Sequence, residues 1–388
     1  MPSIPALVDP AMLVWARTTA NLEPKAAARK IGLPDDRVEE WEQGSIRPTV
    51  AQLRKAAAVY RRSLAVFFLP EPPAGFETLR DFRRVATSSV GVWSTALHAE
   101  YRRAHVQRDA LLDIAELDEE SPSTAWRSPR AFSDDAALAA WAAGMLHQHA
   151  VARRPPPSAD AYAHLNYWTN AMEESGILVM TTSGGDVQVG EMRAFSLYFD
   201  ELPVVMLNGT DSPRGRLFSL VHELVHLLLH TEGLCDTTTD TVLRSPDRQL
   251  EARCNAVAAE ILMPAPELLS STVVAEHAPG TSWSLTELLE GAKPHGVSVE
   301  AFLRRLVTLR LATLAEYRLF RDSQSAAVIT RESSGGNFYY TKARDLGKGY
   351  VRRVADAHRR TLIDSVTAAT YLDVKVEQIP RLAKVAQV

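Results

Sequence analysis

The sequence predicts a mainly helical α+β protein, and three observations carry that prediction. Alanine and leucine recur at helical spacing through the first ~75 residues, and further helical stretches follow along the chain. The β-like runs are confined to one short interval: Ile177–Thr181, Ala194–Phe199 and Pro203–Leu207. Breaks rich in proline or glycine, at Leu69–Pro73, Arg153–Pro157 and Ser333–Asn337, separate segments of different character. The expected organisation is a helical bundle over 1–75, a helical connector over 76–158, a mixed α/β-containing domain over 159–330 and a helical cap over 331–388.

Taken in order, Lys25–Ile31, Arg37–Trp41 and Val50–Tyr60 read as short helices, stopped by Gly32 and Gly44. Trp93–Leu117 reads as one long helix, followed by a polar loop to Asp135. An alanine-rich helix then spans about 136–152. A helix over about 162–174 runs into Gly176 and the β-like runs, whose turns are Gly184-Gly185 and Asp200-Glu201. Helices are expected over about 213–230 and 249–263, over 285–289, and over 299–306 with an extension to Tyr317. Near the end, Tyr350–Thr361 and Ser365–Leu372 have helical spacing.

Composition narrows the function classes. Hydrophobic residues make up 46% and charged residues 23%, the balance of a globular chain with a large core. The formal net charge is −4, so any contact with nucleic acid must come from a local patch. The N-terminus lacks the basic and apolar regions of a signal peptide, and no apolar run approaches the ~20 residues that span a bilayer. Cys235 and Cys254 form no CxxC pair, and two reduced thiols in a cytoplasmic protein are expected.

The chemistry concentrates at His222-Glu-Leu-Val-His226. Histidines four apart on a helix share one face, one turn apart, and can converge on a single ion. Imidazole nitrogen suits zinc, with manganese as the alternative metal. Glu223, beside the first histidine, can act as general base toward a water whose pKa the metal lowers to about 7. Pro213 fits the first turn of this helix, with Asp211 or Ser212 as its cap. Leu217, Leu220, Leu224, Leu227 and Leu228 make it apolar nearly all round, which predicts burial. His230 is not a third ligand to the same ion, because eight residues of helix rise about 12 Å. Glu251 is the better third ligand. Asn255, four residues on, can hydrogen-bond a ligand histidine from behind. Cys254 lies near the same face, either as a ligand or as a small buried residue.

At these residues the chain resembles the ImmA/IrrE family of bacterial metallopeptidases. The resemblance is carried by Arg216–His230, by Glu251, Cys254-Asn255 and the run Ala258–Pro264, and by Met192–Phe195 and Pro203–Asn208 upstream. Where that family often has Arg-Gly-Phe, this chain has Ala194. The resemblance covers roughly residues 160–310. It implies a zincin-like fold, with a small twisted sheet packed on the active-site helix. It implies zinc held by His222, His226 and Glu251, with Glu223 as base. It also implies a specific protein substrate, such as a transcription repressor of the Xre type, and a role in stress response. The group that stabilises the oxyanion is not assigned; Tyr198, Tyr339, Tyr340 and His295 are candidates.

Residues about 13–69 resemble an Xre-type helix-turn-helix domain through Ala28–Leu33, Val38, Trp41–Gly44 and Pro48, with Gly32 at the turn. Phe67–Pro73 and Asp81–Arg83 recur in fused members of the peptidase family. Lys25, Arg29, Arg37 and Arg47 are the candidate DNA or partner contacts. The stretch Pro34–Glu42, however, offers Asp35, Asp36, Glu39 and Glu40 against a single cation, and carboxylates repel phosphates. The alternative for this module is therefore binding to protein. Fused chains of this kind also look like antitoxin partners of PIN-like toxins. The C-terminal block carries Lys342, Arg344, Lys348, Arg352, Arg353, Arg359 and Arg360, and a solvated helical cap is preferred there over a nucleic-acid surface.

Overall fold

The computed structural model describes residues 5–20, 22–62, 64–71, 94–128, 132, 134–229, 233–235, 246–278, 280–325 and 337–387; at 233–235, 246–248 and 324–325 it describes the backbone alone. His230, Pro72–Pro73, Asp81–Arg83, Ser333–Gly336 and the Cys235 side chain lie outside the described residues. Two compact units divide at His105 and Val106.

The first unit is built from α1 (Pro10–Thr19), α2 (Pro24–Ile31), α3 (Arg37–Glu42) and α4 (Val50–Val59), with the opening turns of α5 (Thr95–Leu117). Asp9 caps α1, accepting the Ala11 N–H at 2.8 Å. Thr49 and Gln52 form a reciprocal capping box at α4, which satisfies two donors that a helix start leaves open. Gly32 ends α2 with φ +81°, a left-handed conformation that glycine adopts at no steric cost. Ala16, Ala27, Ala28, Ile31, Val38, Trp41, Leu53, Tyr60 and Phe67 form the core. Arg17 grips Glu42 through two hydrogen bonds, 2.7 and 2.9 Å, and ties α1 to the end of α3.

The second unit begins within α5 and continues with α6 (Asp135–His149) and α7 (Ala161–Ser175). Next come β1 (Leu178–Thr181), β2 (Ala194–Leu197), β3 (Val204–Leu207), α8 (Pro213–Leu228), β4 (Gly233–Cys235) and α9 (Pro246–Leu262). The sheet order is β1-β3-β2-β4, with β1 parallel to β3 and β2 antiparallel to both of its neighbours. Every residue of β1, β2 and β3 is buried, which is why these runs read as continuous apolar stretches and not as alternating ones. Helix α8 packs on β2 and β3, while α6, α7, α8 and α9 form a closed ring of neighbours. β4 is an addition to the three runs visible in the sequence.

Short helices α10 (Ala265–Leu269), α11 (Thr272–Glu276) and α12 (Leu285–Ala292) lead to α13 (Val299–Thr308) and α14 (Leu314–Ser325). The expected extension of the 299–306 helix to Tyr317 does not occur. Arg310 takes φ +61°, and Thr313 with Glu316 caps a new helix start. The C-terminal block is α15 (Phe338–Leu346), α16 (Lys348–Arg359), α17 (Ser365–Leu372) and α18 (Ile379–Ala386), with α15 and α16 packed against β1. Among the described residues no helix is long and apolar enough to cross a membrane.

Candidate metal centre

Helix α8 starts as its sequence dictates. Ser212 accepts the Gly215 N–H at 3.0 Å and Pro213 occupies the first turn. From Leu217 to Leu228 the helix is buried on every side but one residue, Phe218, and it carries His222, Glu223 and His226 into that interior at 0–1% exposure. Three polar side chains at such depth need partners.

Glu251 on α9 supplies one. Its two oxygens stand 3.3 Å from His222 Nε2 and 3.1 Å from His226 Nε2, and the two Nε2 atoms are 3.0 Å apart. All three ligand atoms lie within 4.8 Å of one another. A tetrahedral zinc with bonds near 2.0–2.1 Å separates adjacent donors by about 3.3 Å, so the triangle is the right size. Two imidazoles with one carboxylate favour zinc over magnesium or calcium, which prefer all-oxygen sites. The Glu251 side chain is 30% exposed, so the cluster opens to solvent on that side.

The electrostatics express the same crowding. Burial alone would push the His226 pKa down, but hydrogen bonds to Cys254 and Glu251 and the nearby Glu223 carboxylate more than offset it and raise it. Burial likewise opposes ionised Glu251, yet the two histidines hold its carboxyl well below the usual range. Glu223 moves the other way: burial raises its pKa, opposed only in part by His226, His222 and Ser196. Its Oε2 accepts a hydrogen bond from Ser196 Oγ at 2.6 Å, and its Oε1 is buried without a hydrogen-bond partner among the described residues.

The structure thus brings together the four residues His222, Glu223, His226 and Glu251. Asn255 is half-buried one turn beyond Glu251, and its side chain forms no hydrogen bond among the described residues. The neighbour of His226 is instead Cys254, a buried free thiol whose pKa burial pushes up. Ser196 escaped the sequence reading, although a hydroxyl inside a strand buried on both faces signals a partner.

The remaining candidates are dispersed. Tyr198 packs edge-on against Trp126, and its hydroxyl meets Asp200 at 3.3 Å. Tyr339 lies under the Arg381 guanidinium and Tyr340 is 56% exposed. His295 is buried, with Nδ1 hydrogen-bonded to the Leu262 carbonyl at 3.1 Å. In the first unit, Lys25 and Arg47 are exposed, whereas Arg29 pairs with Asp35 at 2.8 Å and Arg37 with Glu40 at 2.9 Å. Lys342, Arg344, Arg352, Arg359 and Arg360 each pair with a carboxylate, the pattern of a solvated cap.

A mainly helical fold with a small sheet thus bears two histidines and a glutamate, on adjoining helices, that could hold a metal ion. Residues 172–307 match the model of a peptidase family described as the IrrE N-terminal-like domain, a span that contains all four clustered residues and Ser196. Neither the curated proteins nor the solved structures compared with the chain give a match.

Proposed function

We propose that the second unit is a zinc-dependent metalloendopeptidase that cleaves a specific protein, such as a transcription repressor, in a regulatory role. The observation that carries this reading is the triangle of His222, His226 and Glu251 with the buried Glu223 carboxylate beside it. His222 and His226 through Nε2, and Glu251 through its carboxylate, would hold the ion. When bound, zinc supplies a Lewis acid that acidifies water and polarises the scissile carbonyl. Glu223 takes a proton from the attacking water at Oε1, the oxygen without a hydrogen-bond partner among the described residues, and returns it to the leaving amine nitrogen. Burial suits that task, because it lifts the carboxyl toward the pH at which a group both accepts and releases a proton. The Ser196 hydroxyl holds the other oxygen.

A pairing of Arg29 and Arg37 with local carboxylates does not favour the alternative of duplex recognition by the first unit. The test is metal analysis of protein carrying no histidine tag. About one zinc per chain is expected in wild type and in Glu223→Gln, with loss in His226→Ala and Glu251→Ala. Cleavage of the protein partner should vanish in Glu223→Gln despite retained zinc. Full biological effect of that variant would remove proteolysis from the function.

A further inference from the structure

Ser196 sits within β2, a strand paired on both edges: Ser196 faces Val205 of β3 on one side and Gly233 of β4 on the other. Its backbone is therefore held by two ladders, and its side chain is fully buried. The residue it touches, Glu223, lies 27 positions later on α8, the helix packed on that strand. The 2.6 Å separation is in the range of a hydrogen bond to an ionised carboxylate.

We propose that Ser196 is a positioning residue for Glu223: its hydroxyl occupies Oε2, sets the plane of the carboxylate and leaves Oε1 as the oxygen that exchanges the proton. This rests on the metallopeptidase reading. A glutamate has three side-chain torsions, the last of them broad, so the helix alone does not fix where its oxygens point. Among the described residues, Oε2 has a hydrogen-bond partner and Oε1 has none. One anchored oxygen and one open oxygen give the carboxylate a defined orientation, and the anchor comes from a strand held on both edges.

The experiment uses zinc-loaded full-length protein and acetohydroxamic acid, a ligand that chelates the metal and gives its proton to an adjacent base. Zinc content and acetohydroxamate affinity are measured by elemental analysis and calorimetry in wild type, Ser196→Ala, Ser196→Thr, Glu223→Gln and the double variant Ser196→Ala/Glu223→Gln. All five should bind about one zinc. Ser196→Ala should bind acetohydroxamate about 10- to 100-fold more weakly, the effect of losing a hydrogen bond to a charged group. Ser196→Thr, which keeps the hydroxyl, should recover most of that affinity. The double variant should bind no more weakly than Glu223→Gln, because the serine acts through the glutamate. Unchanged affinity in Ser196→Ala, failure of threonine to rescue, or an additive double variant overturns the proposal while leaving the metallopeptidase reading intact. Wild-type protein that takes up no zinc overturns that reading and the proposal together.

Discussion

Removing the Glu173 carboxylate should release the C-terminal helices from the body of the second unit. Glu173 lies on α7 at 6% exposure, accepts the Gly349 N–H at 2.8 Å and pairs with Arg352 at 3.2 Å. Gly349 is in the first turn of α16, so the carboxylate serves as the cap that α16 lacks from its own sequence. The approach is close: a Cβ at Gly349 would lie 2.6 Å from the Glu173 carboxyl carbon. Breaking a buried ion pair by deleting one partner costs about 3–5 kcal/mol. Here Arg352 is 29% exposed and keeps Glu174 at 3.4 Å, which lowers the expectation for Glu173→Ala to about 2–3 kcal/mol. Glu173→Gln keeps an acceptor for Gly349 and should cost about half as much. Amide hydrogen exchange of α15–α18 reads this directly. A loss of that size accelerates exchange from the opened state roughly 30- to 150-fold. Exchange within about threefold of wild type in both variants would refute the idea that this contact docks the block.

Three other outcomes follow from the same structure. Burial, with Arg154 adding its repulsion, holds the His164 imidazole below the ordinary histidine range. The unfolded chain therefore takes up that proton first, so the stability tied to His164 is present above about pH 6.5 and is lost as pH falls toward its folded pKa. The cost of His164→Gln, from urea midpoints, should accordingly shrink between pH 6.5 and 5 as the wild type loses its advantage; a flat or growing cost would contradict this. Asn208 is fully buried and makes four hydrogen bonds, to the carbonyls of Val187 and Met192 and from Thr210 N–H and Oγ. Asn208→Ala should cost about 3 kcal/mol in thermal unfolding, and a change under about 1 kcal/mol would show that water replaces the network. Chelation should lower the melting temperature of zinc-loaded wild type, since a metal at a thousandfold above its Kd adds about 4 kcal/mol. In Glu251→Gln and His226→Ala the same chelator should have little effect.

The parts legible in the sequence are those fixed by nearby residues. His222, Glu223 and His226 are adjacent on one helix, so spacing alone places them together. Glu251 was legible because its helix is bounded by Pro264, and because one more donor was chemically required. What spacing does not carry is which face meets which neighbour. The Ser196 contact spans 27 residues and depends on how α8 lies across β2. The Glu173 contact spans 176 residues and depends on a glycine permitting backbone to approach a carboxylate. β4 is three residues long, too short for periodicity, and exists because β2 offers it an edge. The break at Arg310 was hidden because both flanking segments keep a helical pattern, and the capping pair Thr313 and Glu316 is the signal that marks it.

Helix α8 is the place where local and global requirements disagree, and the disagreement is informative. Its leucines and valines call for a buried helix, and burial is what the fold delivers. The same burial takes Glu223 and the two histidines out of water, and α9 adds Glu251 to the cluster. With neutral imidazoles the group carries two negative charges in a poorly solvated interior, an arrangement that costs several kcal/mol per ion. Protons relieve part of this in the metal-free protein, which is why the His226 pKa rises beside Glu251 and Cys254. A divalent cation bound there would relieve it, matching two charges with two through the donor atoms already converged. A cluster serving only the core would be better made of leucine. A buried helix that carries this cluster, with one Glu223 oxygen anchored and the other without a hydrogen-bond partner among the described residues, is the physical argument that favours the proposed metal chemistry over a purely structural role.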